Sequence, residues 1–170
     1  MSVVISSGHG KLVRGAAGYI DEVDEARKVV DKVAEILRAL GDDVKTFHDD
    51  VSTSQGENLD RIVAYHNEQD RELDVSIHFN AYETTDKLMG VEVLYVSQDD
   101  LAGEVSDAIA EAGEFPNRGA KYRSDLAFLN GCEEPAILIE VCFVDSSSDV
   151  DHYHRHFDAI CRAIAHAISE

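Results

Sequence analysis

The sequence predicts an α/β fold: a single domain built on a twisted, mostly parallel or mixed β-sheet of about six strands, with helices on both faces. Three observations carry this. Short apolar runs alternate along the chain with longer segments whose apolar residues recur at helical spacing, which is the signature of strand and helix alternation. The run PAILIEVCFV at 135–144 is almost continuously apolar, as a central strand covered on both faces would be. The length of 170 residues fits one domain with a substantial core better than two.

Val3 to Ser6 forms the first predicted strand and leads into SGHGKLVRGAAG, whose glycines mark an irregular loop. From Glu22 onward, Ala26, Val29, Val30, Val33, Ile36, Leu37 and Leu40 recur at helical spacing, and Gly41 is a natural terminator. DVKTFH at 43–48 reads as a second strand, and Leu59, Ile62, Val63 and His66 place a helix over 56–69. DVSIHFNA at 74–81 and GVEVLYVS at 90–97 are the next strands, followed by a helix over 99–113 with Leu101, Val105, Ile109 and Ala112 on one stripe. The only predicted loop long enough to suspect of function lies between Asn117 and Glu134, and residues from about Ser148 to Ser169 read as a final helix. No repeat, low-complexity tract or Pro/Gly/Ser-rich linker divides the chain, so residues 1–170 are expected to be one catalytic or binding unit, with no separate wall-binding module.

Charge narrows the function. A net charge of −19 disfavours nucleic acid and anionic membranes as partners. The N-terminus lacks a basic leader and a long apolar stretch, and no run approaches the roughly 18 apolar residues of a membrane span. Synthesis in the cytoplasm without a signal peptide is therefore expected. Cys132, Cys142 and Cys161 have no metal-ligand spacing and read as reduced thiols.

In such a sheet, ligands collect beyond the carboxyl ends of the strands, which is where His9 and His78 fall. His9 lies between Gly8 and Gly10, an uncrowded setting for a ligand, although a plain surface histidine reads as well. Alternation puts Ser76, His78 and Asn80 on one strand face, and a hydrogen-bonded core histidine is the bland alternative there. Glu140 stands amid apolar neighbours, where an unpaired charge is costly; burial would raise its pKa toward that of a general acid or base, whereas a structural role needs a cationic partner. A carboxylate to join the histidines must come from Asp21, Glu22, Asp24 or Glu25. Helical phase favours Glu22, with Glu25 as competitor. Two imidazoles and a carboxylate match a catalytic zinc site with an open position, and Glu140 would complete a metal hydrolase. There is no HExxH motif. The DHYHRHF cluster with His152, His154 and His156 reads as helix decoration, Cys142 as core on the face of Glu140, and His48 and His66 have no motif around them.

Taken together, SSGHG, IDEVDEA, SIHFNA, ILIEVCFVDS and the approach segment NRGAKYRSDLAFLNGCEEPAILIE resemble, nearly end to end, the zinc-dependent N-acetylmuramoyl-L-alanine amidases of the amidase 3 type found in phage endolysins and bacterial autolysins. The resemblance implies a peptidoglycan hydrolase with one zinc per chain held by His9, Glu22 and His78, and Glu140 as the catalytic acid and base. It implies cleavage of the amide between N-acetylmuramic acid and L-alanine. IDEVDEAR lacks the Asn that often follows the zinc glutamate by four residues, which keeps Glu25 in contention. Peptidoglycan is the expected partner, reached after lysis or holin-mediated release, and a monomer is the expected state. The alternatives are another peptidoglycan zinc peptidase on the same scaffold, or a non-catalytic wall-binding or regulatory module.

Overall fold

The computed structural model describes residues 1–170. In chain order the elements are β1 (Ser2–Gly10), α1 (Glu22–Ala39), β2 (Asp43–Asp49), α2 (Gln55–Asn67), β3 (Leu73–Asn80), β4 (Val91–Tyr95), α3 (Asp99–Gly113), β5 (Asn117–Tyr122), α4 (Ala127–Gly131), β6 (Ala136–Phe143), α5 (Ser147–Arg155) and α6 (Phe157–Ser169). They build one six-stranded sheet in the order β2-β1-β3-β6-β4-β5. β1 pairs in parallel with β2 and β3, β3 with β6, and β4 with β5, while β4 runs antiparallel to β6. The predicted mixed, mostly parallel α/β sheet is the one observed.

Strand order explains where a ligand can enter. The chain leaves β1 for β2 at the edge and then returns to β3 on the other side of β1. Helices α1 and α2 therefore depart to opposite faces, and a crevice opens outside the carboxyl ends of β1 and β3.

The two faces are covered unequally. A 30-residue core fills the space between the sheet and α1, α3 and α6. Val29, Val30, Val33 and Leu37 of α1 are fully buried in it, each contributing about 1.5–3 kcal/mol, so Val33→Asp would undo this face. Asp21 caps α1 by accepting the Val23 and Asp24 N–H groups, and the helix ends before Gly41, whose φ of 98° is in the left-handed region. The opposite face carries only six core residues: Ile62 of α2, Phe128 and Leu129 of α4, and Leu94, Ala136 and Leu138 beneath them. The short cover leaves the polar side chains at the strand ends open to a cavity.

Three expectations are corrected. The segment predicted as a long loop contains β5 and α4. β5 is an edge strand whose residues are exposed or half-buried, so it lacks the apolar pattern that marks the others. The C-terminal helix is two helices that part at His156, where φ is −113° and ψ is 17°. There the His156 ring meets the Glu114 carboxylate at 3.0 Å, and His152 Nδ1 meets the Gly113 carbonyl at 3.0 Å, so both histidines fasten the end of α3. Finally, His78 pairs with Glu140 but Asn80 pairs with Phe143, so β6 holds one extra residue in a bulge. The bulge breaks the alternation and turns Cys142 into the large core, off the face of Glu140.

Candidate metal centre and active-site cavity

β1 ends in Gly8–His9–Gly10 and β3 in His78–Phe79–Asn80, so two adjacent parallel strands deliver the two imidazoles side by side, with ring centroids 5.0 Å apart. α1 begins with Glu22 at its first position and points the carboxylate between them. Glu22 Oε1 lies 3.4 Å from His9 Nε2 and 3.2 Å from His78 Nδ1. The same carboxylate is fixed from behind by two backbone donors, the Phe79 N–H on Oε1 at 3.0 Å and the Ala16 N–H on Oε2 at 2.7 Å. One ligand atom from each of His9, Glu22 and His78 falls within 4.8 Å of the others.

The acidic start of α1 distributes its other carboxylates elsewhere. Asp21 and Asp24 both take Arg14, at 2.8 and 2.6 Å. Glu25 accepts the buried Tyr153 hydroxyl at 2.9 Å and Lys28 at 3.1 Å. Glu22 alone of this group faces the histidines.

Electrostatics match a cation-binding donor set. Burial works against the Glu22 charge, but the hydrogen bonds and charges of His78 and His9 outweigh it and hold the carboxyl well below the usual range. Burial pulls His78 down, toward the neutral imidazole that a metal ligand must be. Space is equally restricted: a Cβ at Gly8 would overlap the His78 ring, and one at Gly15 would overlap the Glu22 carboxylate and the His9 ring. These glycines are needed for close approach, not for an unusual φ.

Glu140 lies next to His78 across the β3–β6 ladder. Its Oε2 is buried without a hydrogen-bond partner, and burial, helped by the charges of Glu22 and Glu92 and opposed by Arg123, pushes its pKa up to about 8. No lysine or arginine pairs with it directly. Glu140, His9 and His78 line one cavity of about 450 Å³, with Leu59, Ile62, Leu94 and Phe128 as its apolar wall.

The structure also assigns the histidines that carried no motif. His66 bridges Ser6 Oγ and Asp74 Oδ1, both at 2.8 Å, with Arg71 held on Asp74 at 2.8 Å. His48 bridges Ser7 Oγ at 2.8 Å and Asp31 at 2.9 Å. These chains grip β1 from both faces just before Gly8 and His9. The first is sealed from solvent and cannot meet a substrate. Although His66 and Asp74 lie near Cys132 in a second donor cluster, Ser6 and Arg71 already use the donor atoms. Partners 8 to 60 residues apart leave no local sequence signal.

The family model described as N-acetylmuramoyl-L-alanine amidase matches residues 3–170. Among curated proteins, an uncharacterised protein of Clostridium perfringens strain 13 is 31% identical, covering 100% of this chain and 52% of that protein. An uncharacterised 38.4 kDa protein of the same species is 33% identical over 90% of this chain and 46% of its own length. The chain thus spans about half the length of the curated relatives it matches. Among solved structures, the catalytic domain of the CD27L endolysin targeting Clostridia difficile superposes with a TM-score of 0.91 at 25% identity, covering 99% of this chain and 96% of that one. The N-acetylmuramoyl-L-alanine amidase AmiC2 of Nostoc punctiforme gives 0.85 at 26% identity, over 99% and 94%. With a family model spanning nearly every residue, and its fold and strand-end residues laid out as above, this chain belongs to the N-acetylmuramoyl-L-alanine amidase family.

Proposed function

We propose that residues 1–170 act as a zinc-dependent peptidoglycan hydrolase that cleaves the amide between N-acetylmuramic acid and the L-alanine of the stem peptide. The observation that carries the proposal is the convergence of His9, Glu22 and His78 at the edge of a cavity that His9, His78 and the buried, unpaired Glu140 carboxyl line. Two imidazoles and a carboxylate suit zinc and leave a position free for chemistry. A zinc ion bound there would polarise the scissile carbonyl and ease deprotonation of water.

The chain's own groups account for the proton traffic. Glu140 takes a proton from the attacking water as the water oxygen bonds to the lactyl carbonyl carbon. It then delivers that proton to the alanine nitrogen as the C–N bond breaks. The products are a muramoyl carboxylate and a stem peptide with a free amino terminus, and no covalent enzyme intermediate forms. Burial raises the Glu140 carboxyl above its usual range, and a zinc ion bound at the adjacent ligands would draw it back down, so the two influences together would let it both accept and return the proton. In this reading the enzyme meets its substrate in the cell wall, after its own release by lysis or through a holin. No helix is long and apolar enough to cross a membrane.

Digestion of purified peptidoglycan, with and without a chelator, tests the reading. New amino-terminal alanine that vanishes with chelator is expected. New termini elsewhere in the peptide would identify another zinc peptidase, and no release at all would identify a binding module.

A further inference from the structure

We propose that Arg123, at the cavity that holds Glu140, is the specificity-determining cation that receives a carboxylate on the peptide portion of the substrate. The inference rests on the hydrolase reading above and extends it to the kind of stem peptide taken. Of the 16 residues lining the cavity, Arg123 is the only lysine or arginine. The rest of the cavity offers an apolar wall, a few neutral polar groups, His9, His78, Glu140 and Asp125. In a chain of net charge −19, an anionic peptide is repelled at long range, so a carboxylate can be held only where a cation is placed for it.

Arg123 is placed in this way. Its backbone N–H bonds the Tyr95 carbonyl at 2.9 Å, fastening the segment after β5 to the neighbouring strand β4. Its Nε and Nη2 each meet one oxygen of Asp125 at 2.8 Å, which orients the planar guanidinium and leaves Nη1 without a protein partner. The charge is near enough to Glu140 to oppose the effect of burial there. An extended stem peptide carries the α-carboxyl of its second residue nearly two residues beyond the scissile nitrogen, about 6–7 Å further along, a span that a cavity of about 450 Å³ accommodates. A charge-assisted bond to Nη1 favours a free carboxylate at that position over a carboxamide.

Asp125 gives the proposal a second handle of opposite sign. It competes with the substrate carboxylate for the guanidinium, and as an exposed side chain it can be changed without disturbing the core. The test uses two soluble muramoyl peptides that differ only in the second residue, D-glutamate or D-isoglutamine, with kcat/KM measured for each. Wild type should prefer the acid about tenfold at low salt, and 0.5 M salt should erode that preference. The acid-to-amide ratio should fall toward one in Arg123→Gln and rise in Asp125→Asn. A ratio of one in wild type, or a ratio unchanged by Arg123→Gln, overturns the proposal. If Arg123→Gln does not fold, the Asp125→Asn and salt results decide in its place. Should wild type cleave neither peptide, the hydrolase reading fails, and the difference in binding of the two intact peptides still decides the role of Arg123.

Discussion

Gly8→Ala places one methyl group where the structure has no room for it. The backbone at Gly8 is not in the left-handed region, so alanine is conformationally acceptable there and the perturbation is steric alone. The new Cβ would overlap three atoms of the His78 ring, which must rotate or translate away from Glu22. Overpacking of this kind costs about 1–3 kcal/mol, and about 2–4 °C of melting temperature per kcal/mol in a domain of this size. The effect at the site should be larger. Displacement of a reacting group by about 1 Å costs on the order of 10²-fold, so zinc affinity and turnover should each fall by about that factor while the far-ultraviolet circular dichroism spectrum is kept. Competition with a chromophoric chelator reads the affinity. Gly103→Ala, in the interior of α3 with nothing within 4 Å of its new Cβ, is the control; it should stabilise by roughly 0.5–1 kcal/mol and leave zinc alone. A Gly8→Ala protein with wild-type zinc affinity would refute the assignment of His78 as a ligand packed against this glycine.

Three further outcomes follow from the same geometry. Glu22→Ala should lose zinc, whereas Glu25→Ala should keep it and instead lose about 1–3 kcal/mol in urea melts, because the buried Tyr153 hydroxyl is left without its acceptor; the reverse pattern would hand the ligand role to Glu25. Glu140→Gln should retain zinc and fold but lose on the order of 10²–10⁴ in rate, and near wild-type release of stem peptides would make the carboxylate dispensable. Burial alone would raise the Asp49 pKa, but hydrogen bonds from Ser52, Asn58 and Val51 outweigh it and hold it at about 2. A depressed carboxyl stabilises the fold above its unfolded pKa of about 3.9, so this contribution should disappear as pH falls from about 4 through 2; Asp49→Asn should flatten that part of the stability curve, and an unchanged acid limb would contradict it.

What was legible in the sequence was whatever a short window can encode. The apolar runs at β1, β3 and β6, the stripe of α1, and the histidines at strand ends all declare themselves within ten or so residues. Helical phase alone placed Glu22 toward the sheet, but it could not show that Arg14 claims Asp21 and Asp24 while Tyr153 and Lys28 claim Glu25. β5 escaped because an exposed edge strand need not carry apolar residues, and the break at His156 because α6 continues the apolar pattern with little interruption. The bulge that turns Cys142 into the core exists only in the pairing of β3 with β6. The Ser–His–Asp chains through His48 and His66, and the meeting of Arg123 with Glu140 in one cavity, likewise depend on residues the chain brings together from far apart.

The most direct test of the central claim is the zinc content of the purified protein beside that of His78→Ala, measured by elemental mass spectrometry on folded samples. The account predicts one zinc per wild-type chain and loss of stoichiometric zinc in the variant, because a carboxylate and one imidazole remain where three ligands are needed. Full occupancy in folded His78→Ala would contradict it.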